Sequence, residues 1–235
     1  MASKLYSFAP EDAQKEAFRK QLSSHIQKLI LHAYASEVIE FIFAAQTSER
    51  ARREMVFALY GNYSLIAQEV LDRNKSASLK EFIEAKPQLA DNLMKRLEPM
   101  VSKLVEKGHS RHSIVQSAML DYLECQEDPE KLDFLADLLK ETFPALLASK
   151  EGLKVACALF NRLDAKERKT VVKSLPVADM IVNRIAHLFI IHVCNNLDDT
   201  QLTKKKILNE ALIKIDDYID NSFYQSVLIA ALSPL

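Results

Sequence analysis

The chain has 235 residues, of which 49% are apolar, and it contains only three glycines and seven prolines. So few turn-forming residues exclude a strand-rich protein and favour an all-helical one, either a single large domain or a repeat array. Lys and Arg number 31 against 32 Asp and Glu, which gives a formal charge of −1. This balance excludes the strongly basic chain that bulk phosphate binding requires, so any nucleic-acid site must be a local patch.

The cysteines and the apolar runs indicate the compartment. Cys125, Cys157 and Cys194 are odd in number, far apart and flanked by apolar helix residues. Such cysteines are typical of buried free thiols in a reducing compartment. The sequence has no run of about 18 apolar residues that could span a bilayer, and its first residues lack the order of a signal peptide. We expect a soluble, intracellular protein with no membrane partner.

Apolar residues recur three or four positions apart along the chain, which predicts short helices. In chain order the predicted helices are FRKQLSSHIQKLILHA, VIEFIFAA, LADNLMKRLEPMVSKLVEKG, IVQSAMLDYL, LDFLADLLKETF, VACALFNRL and KKKILNEALIKIDDYI. Several polar breaks between them carry residues that cap helix starts. These residues are Ser48, Asp128 before Pro129, Asp164 with Glu167 three residues on, and Asp199 or Thr200.

A motif recurs with a period near 38 residues. It appears as ASEVIEFIF, RHSIVQSAM, GLKVACALF, AHLFIIHVC and YQSVLIAAL, whose second residues are Ser36, His112, Leu153, His187 and Gln225. The intervals are 76, 41, 34 and 38, and the first is twice 38. A helical unit of this length cannot bury its apolar face alone, so neighbouring units must stack. The sequence predicts one helical-repeat array over residues 1–235, of about five to six units, with an irregular unit around residues 60–99.

At these residues the sequence resembles the pumilio-homology (PUF) repeat family. Units of that family have three helices, and the central helix begins with a pattern like YGxxVIQ, which AYASEVIE and EGLKVAC fit. HAYASEVIEF, LYGN, HSIVQSAMLDYL, SKEGLKVACALF with LDAKERKTVVKSL, AHLFIIHVCNNLDDTQL and SFYQSVLIAALSPL are similar in order and spacing to its Puf-A, or pumilio-3-like, branch. The resemblance covers residues 26–235 and implies an all-α, right-handed superhelical solenoid of three-helix repeats.

The same resemblance implies a function. Proteins of this branch are nucleolar and take part in assembly of the large ribosomal subunit, and their arrays bind RNA or DNA with little sequence preference. The implied partners are therefore RNA, either pre-rRNA or mRNA, together with DNA and ribosome-assembly proteins. The implied location is the nucleus and nucleolus, with the cytoplasm left open. Because the family's array extends beyond both ends of this sequence, we expect the chain to be the C-terminal part of a longer array.

PUF repeats that read RNA base by base use two central-helix residues for the base edge and one between them for stacking. The residues at the edge positions are Ser36 with Glu40, His112 with Gln116, Leu153 with Cys157, His187 with Ile191, and Gln225 with Ile229. The residues at the stacking positions are Glu37, Ser113, Lys154, Leu188 and Ser226. None of these is aromatic or arginine, and stacking contributes about 1–3 kcal/mol per base. Only Ser36 with Glu40 is a standard pair, of the kind that reads guanine, so base-by-base reading is disfavoured.

Phosphate binding is better supported, because a basic segment holds seven Lys and Arg against three acidic residues. Basic side chains contact phosphate without reading sequence, although such runs are also typical of a solvated helix face. The stretch from Glu124 to Glu141 is acidic and, with the neutral net charge, supports the alternative of a protein-interaction scaffold. A post-transcriptional regulator of mRNA is a further alternative. The basic residues are Lys150, Lys154, Arg162, Lys166, Arg168, Lys169 and Lys173.

The sequence indicates no enzymatic chemistry. It has no glycine-rich phosphate loop, no nucleophile elbow and no clustered carboxylate pair. His109 and His112 are three apart but have no cysteine or carboxylate beside them at ligand spacing, so neither a metal site nor a cofactor is expected. The segment LYGNYSLI, with Asn62 and Tyr63, is expected to join two repeats and to use its aromatic residues for packing.

Overall fold

The computed structural model describes residues 12–61 and 64–233, and it describes their side chains except at 12 and 64–66. All regular elements within these ranges are helical. The chain divides into two compact units, Met1–Glu127 and Asp128–Leu235. The all-helical class predicted from composition is therefore the class that these residues adopt.

The described part of the first unit contains eight α-helices, with one 3-10 turn on each side of the seventh. Gly108 ends the seventh helix with a φ of +74°, a left-handed conformation that favours glycine. The elements are α1 Asp12–Ser23, α2 Ile26–Leu29, α3 Ala33–Ala44, α4 Glu49–Leu59, α5 Ser64–Arg73, α6 Leu79–Ala85, the 3-10 turn Pro87–Leu89, α7 Ala90–Glu106, the 3-10 turn His109–Arg111, and α8 Ser113–Cys125.

Helix α8 is the centre of the first unit. It packs against α3, α4, α6 and α7, and seven consecutive residues from Ser113 to Met119 are buried. A helix buried on nearly all sides must satisfy its polar groups internally. Its Ser117 hydroxyl therefore donates to the carbonyl oxygen of Ser113 at 3.0 Å.

Asp121, near the end of α8, is the acceptor of a buried polar network. Its carboxylate accepts hydrogen bonds from Arg53 Nη2 at 2.8 and 3.1 Å, from the Tyr60 hydroxyl at 2.5 Å and from the Leu79 amide at 3.2 Å. Burial and the Asp121 carboxylate hold the pKa of Tyr60 well above its ordinary value. The network joins α4, α6 and α8 and pairs the buried charge of Asp121 with that of Arg53.

The second unit consists of further short helices around an aromatic core. The rings of Phe143, Phe160 and Phe189 lie 5.7–6.4 Å apart between centroids. The elements are α9 Pro129–Leu139, α10 Phe143–Leu146, α11 Lys150–Phe160, α12 Ala165–Ser174, α13 Val177–Met180, α14 Ala186–Asn196, α15 Thr200–Thr203, the π-helical turn Lys204–Leu208, α16 Asn209–Ile213, α17 Ile215–Tyr218 and α18 Ser222–Leu232. Helix α14 packs against α11, α13 and α18.

The helix starts predicted from capping residues are confirmed. Ser48 accepts from the Ala51 amide at 3.4 Å, and Asp128 accepts from the Glu130 amide at 3.0 Å with Pro129 in the first helical position. Asp164 and Glu167 form a complete capping box at the start of α12. Of the two candidates near residue 200, Asp199 is the cap, because it accepts from the Leu202 amide at 2.9 Å.

Candidate nucleic-acid interface

Two lysines lie on the exposed side of α11. Ser149 caps this helix by accepting from the amide of the buried Gly152 at 3.0 Å, which fixes its first turn. Lys150 and Lys154 are four residues apart, so they share one face, and both are exposed. Lys154, a predicted stacking residue, thus presents an ammonium group to solvent.

Helix α12 carries three more of the predicted basic residues. Lys166, Lys169 and Lys173 recur at helical spacing along one face of this helix. Lys169 forms an ion pair with Asp199 at 2.8 Å, and the hydrogen bond from its ammonium group holds the pKa of that carboxyl below its ordinary value. Lys166 and Lys173 are exposed.

Both predicted arginines make structural contacts. Arg162 Nε donates to Asp133 at 2.7 Å, and its Nη2 donates to the Pro129 carbonyl oxygen at 3.1 Å. Arg168 donates to three carbonyl oxygens and lies over the Phe160 ring at 5.6 Å. Its acceptors are Phe160 at 3.1 Å, Asn161 at 2.7 Å and Asn196 at 3.1 Å.

The seven predicted basic residues therefore fall into two groups according to their contacts within the chain. Arg162, Arg168 and Lys169 are held by carbonyl or carboxylate oxygens of the second unit. The other four are exposed, and no carboxylate of the described residues pairs with them. We call these the four unpaired lysines: Lys150, Lys154, Lys166 and Lys173.

The predicted guanine-reading pair is engaged inside the first unit. Ser36 is fully buried, and its hydroxyl donates to the Ala33 carbonyl oxygen at 3.0 Å. Glu40 accepts from the Ser113 hydroxyl at 2.6 Å and from the Ile114 amide at 3.2 Å. These bonds occupy both carboxylate oxygens of Glu40, and Ser113, a predicted stacking residue, is buried.

The second predicted edge pair is also buried. Gln116 is fully buried and donates to the Ser110 carbonyl oxygen at 2.9 Å. His112 is 2% exposed and stacks on His109 with centroids 5.4 Å apart, and its Nε2 has no hydrogen-bond partner among the residues that the structure describes. Burial lowers the pKa of His112. Glu37, at the stacking position of the previous repeat, is exposed and pairs with Arg111.

In the second unit the predicted contact residues differ in exposure. His187 is buried, its Nδ1 lies 2.8 Å from the Asn183 carbonyl oxygen, and its ring stacks on Phe223 with centroids 4.6 Å apart. Gln225 is exposed, and its side-chain amide donates to the Ile219 carbonyl oxygen at 2.7 Å. The assignment of these positions to base contacts stays a prediction.

Comparisons with known proteins identify the family that the chain resembles. No family model matches it. Pumilio homolog 3 of Danio rerio is 24% identical over 212 residues, which are 89% of this chain and 33% of that protein. Pumilio homology domain family member 6 of Saccharomyces cerevisiae is 26% identical over 200 residues, 84% of this chain and 30% of that protein. The pumilio-homology resemblance is confirmed.

The solved structures confirm the pumilio-type repeat fold. The crystal structure of human Puf-A matches with a TM-score of 0.82 at 21% identity, covering 99% of this chain and 45% of that one. Human Puf-A in complex with DNA matches with a TM-score of 0.83 at 21% identity, covering 98% and 45%. The chain spans about a third of the length of the curated relatives that it matches.

One exposed aromatic residue, Tyr34, is not among the site residues predicted from the sequence. Tyr34 occupies the first position of the YGxxVIQ-like pattern in AYASEVIE, three residues before Glu37. Its side chain is 83% exposed on the first turn of α3. Its spacing from Glu37 could have identified it, because helical geometry places Tyr34 on the same face as Glu37 and away from the buried Ile39 and Ile42.

Among residues 12–61 and 64–233, no three His, Cys, Asp or Glu side chains are grouped so that they could hold a metal ion. Within the same ranges, no helix is long and apolar enough to cross a membrane. The three cysteines are free thiols, and burial raises their pKa values to about 12 for Cys125 and about 11 for Cys157 and Cys194. Asn62 and Tyr63 lie outside the described residues.

Proposed function

We propose that the chain is a nucleic-acid-binding helical-repeat module that contacts RNA, and also DNA, mainly through the phosphate backbone. The observation that carries this proposal is the exposure of the four unpaired lysines on α11 and α12. Ammonium groups in such positions can contact phosphates without reading bases. The match to human Puf-A in complex with DNA supports the same class of ligand.

We expect weak sequence preference, because residues predicted to contact base edges are already hydrogen-bonded within the chain. Ser36, Glu40 and Gln116 donate to or accept from groups of the first unit. A base that used them would have to break these hydrogen bonds, each of which contributes about 0.5–1.5 kcal/mol. The proposed binding therefore depends mainly on the charge of the strand.

We also propose pre-rRNA as the RNA and ribosome assembly in the nucleus and nucleolus as the process. The resemblance to the Puf-A branch supports this assignment. Crosslinking of the chain to RNA in cells, followed by sequencing, tests it. Enrichment of pre-rRNA would support the proposal, whereas enrichment of mature mRNA would favour the alternative of an mRNA regulator.

A matched pair of variants tests the role of the four unpaired lysines. The test variant carries Lys150→Gln, Lys154→Gln, Lys166→Gln and Lys173→Gln. The control changes the net charge equally at four exposed lysines outside α11 and α12, Lys75→Gln, Lys80→Gln, Lys95→Gln and Lys205→Gln. Each phosphate contact contributes about 0.7 to the slope of log affinity against log salt for a single strand. If each lysine contacts one phosphate, the test variant should have a slope smaller by about 3.

Fluorescence anisotropy with a labelled single-stranded RNA measures these slopes. The control variant should keep a slope close to that of the parent chain. Equal slopes for the test and control variants would show that the four unpaired lysines do not contact the RNA. Circular dichroism of both variants verifies that they fold.

The second unit also favours a second function, protein binding. Phe134 on α9 is 59% exposed, and the exposed Glu130 and Asp137 lie four residues before it and three residues after it on the same face. Carboxylates beside an exposed aromatic ring repel phosphate, and the surface that they form fits a basic protein segment. Phe134→Ser should reduce recovery of protein partners in affinity purification and leave RNA affinity unchanged. Unchanged recovery would exclude this surface as the scaffold site.

A further inference from the structure

A second surface with nucleic-acid-binding chemistry lies in the first unit, outside the predicted basic segment. Tyr34 is 83% exposed at the start of α3. His32 caps this helix, because its Nδ1 accepts from the amides of Tyr34 and Ala35 at 3.3 and 3.4 Å. The capped first turn fixes the backbone that carries the tyrosine ring.

The ring of Tyr34 stays available for a ligand. Its one aromatic neighbour in the described residues is His32, with centroids 6.1 Å apart and planes tilted by 48°. At this separation and angle the rings do not stack face to face. Because Tyr34 is 83% exposed, its ring is suitable for stacking with a flat ligand.

Basic side chains surround the start of α3. Lys107 donates to the carbonyl oxygen of Leu31 at 3.0 Å, which brings its ammonium group beside the segment that leads into α3. Arg111 pairs with Glu37, which lies three residues after Tyr34 on the same face of α3. Both cations are exposed. Arg111 contacts Glu37 through Nη2, so the other N–H groups of its guanidinium can donate to another anion.

The charge of this surface suits a phosphodiester strand. Lys103 is exposed in the last turn of α7, four residues before Lys107, which caps the end of this helix. Together with Arg111 they give three exposed cations, against the exposed carboxylates of Glu37 and Glu106 and the half-buried carboxylate of Glu40, which Ser113 and Ile114 hold. An exposed aromatic ring beside exposed cations is an arrangement by which proteins hold single-stranded nucleic acid.

We propose that Tyr34 is a stacking platform for one unpaired base of a single strand, with Lys107 and Arg111 contacting phosphates of the same strand. The Tyr34 site presupposes the nucleic-acid binding proposed above and adds a preference for unpaired bases. Because a stacked base contributes about 1–3 kcal/mol, loss of the ring should weaken binding by about 5- to 140-fold. Stacking on one ring is tolerant of sequence, so the preference does not require a particular base.

Binding of the whole chain to two DNA 12-mers separates the base from the backbone. One oligonucleotide is oligo(dA), and the other has the same length and charge but carries tetrahydrofuran abasic sites throughout. RNA oligo(A) of the same length compares the two sugars. The variants are Tyr34→Ala, the ring-preserving control Tyr34→Phe, and Lys107→Gln with Arg111→Gln.

Tyr34→Ala should weaken binding of both base-bearing strands by about 5- to 140-fold and leave the abasic strand unaffected. Tyr34→Phe should bind all strands as the parent chain does. Lys107→Gln with Arg111→Gln should weaken all three strands and reduce the salt slope by about 1.4, at roughly 0.7 per phosphate.

The outcomes separate this site from the proposed function. If Tyr34→Ala binds oligo(dA) as tightly as the parent chain does, the stacking platform is refuted. If that result accompanies weaker binding by the variant lacking the four unpaired lysines, the proposed function stands without the Tyr34 site. If the parent chain binds none of the strands at low salt, both proposals fall.

Discussion

Replacing Asp121 with asparagine should destabilise the first unit by about 3–5 kcal/mol, because it removes one partner of a buried ion pair. The Asp121 side chain is 4% exposed and that of Arg53 is 13% exposed, so little water can replace the lost charge. The carboxylate accepts from Arg53, from the Tyr60 hydroxyl and from the Leu79 amide. An asparagine offers one acceptor oxygen, and its amide group would face donors.

Urea unfolding followed by circular dichroism measures this loss as a change in the free energy of unfolding. Asp72→Asn in the same unit is the control, since Asp72 is exposed and forms a surface ion pair with Arg50. The control should unfold at a urea concentration close to that of the parent chain. A loss below about 1 kcal/mol for Asp121→Asn would refute the view that this network stabilises the first unit.

Four further predictions follow from individual contacts. Ser78 caps α6 by accepting from the Glu81 amide at 3.3 Å, so Ser78→Ala should lower the free energy of unfolding in urea by about 1 kcal/mol, whereas Ser78→Asp should preserve it. Arg168→Gln should destabilise the chain by about 1–3 kcal/mol and leave the salt slope of RNA binding unchanged. Because burial raises the pKa of Cys125 to about 12, iodoacetamide should alkylate this thiol in the native chain far more slowly than in urea, as measured by mass spectrometry. Burial lowers the pKa values of His109 and His112, so the unfolded chain binds more protons below about pH 6.5 and stability measured in urea should fall there as the pH decreases.

The helical elements could be predicted from the sequence because their signals are local. Helices α3, α11, α14 and α18 each contain one of the five repeat motifs, and α8 begins at the third residue of the remaining one. Caps such as Ser48 and Asp164 were identified from residue type and spacing of three. The capping box of Ser78 and Glu81 uses the same chemistry, and the sequence analysis missed it.

The long-range contacts could not be predicted in the same way. The pairing of Arg53 with Asp121 joins residues 68 positions apart, and neither residue belongs to a motif. Arg168 was predicted to bind phosphate because its neighbours are lysines, but its guanidinium reaches three carbonyl oxygens of the chain. Sequence gives the charge of a side chain, whereas its partners depend on how the helices pack.

The exposure of the edge positions could not be predicted from sequence either. Ser36 and Gln116 were predicted to contact base edges from their positions in the pumilio-type repeat, and both are fully buried. Small hydroxyl and amide groups can satisfy their hydrogen bonds inside a helical core, so polarity alone does not place them at a surface. The four unpaired lysines are different, since burying an unpaired ammonium group is strongly unfavourable and exposure is the default.

Salt dependence of binding tests the central claim most directly. The parent chain is titrated by fluorescence anisotropy against single-stranded RNA, duplex RNA and DNA of unrelated sequence over a series of salt concentrations. A backbone-binding module should bind all three whatever their sequence, with the single strand favoured where Tyr34 stacks a base, and the affinity should fall steeply and linearly in log salt. Absence of binding at low salt, or an affinity that depends on sequence and hardly on salt, would contradict the account.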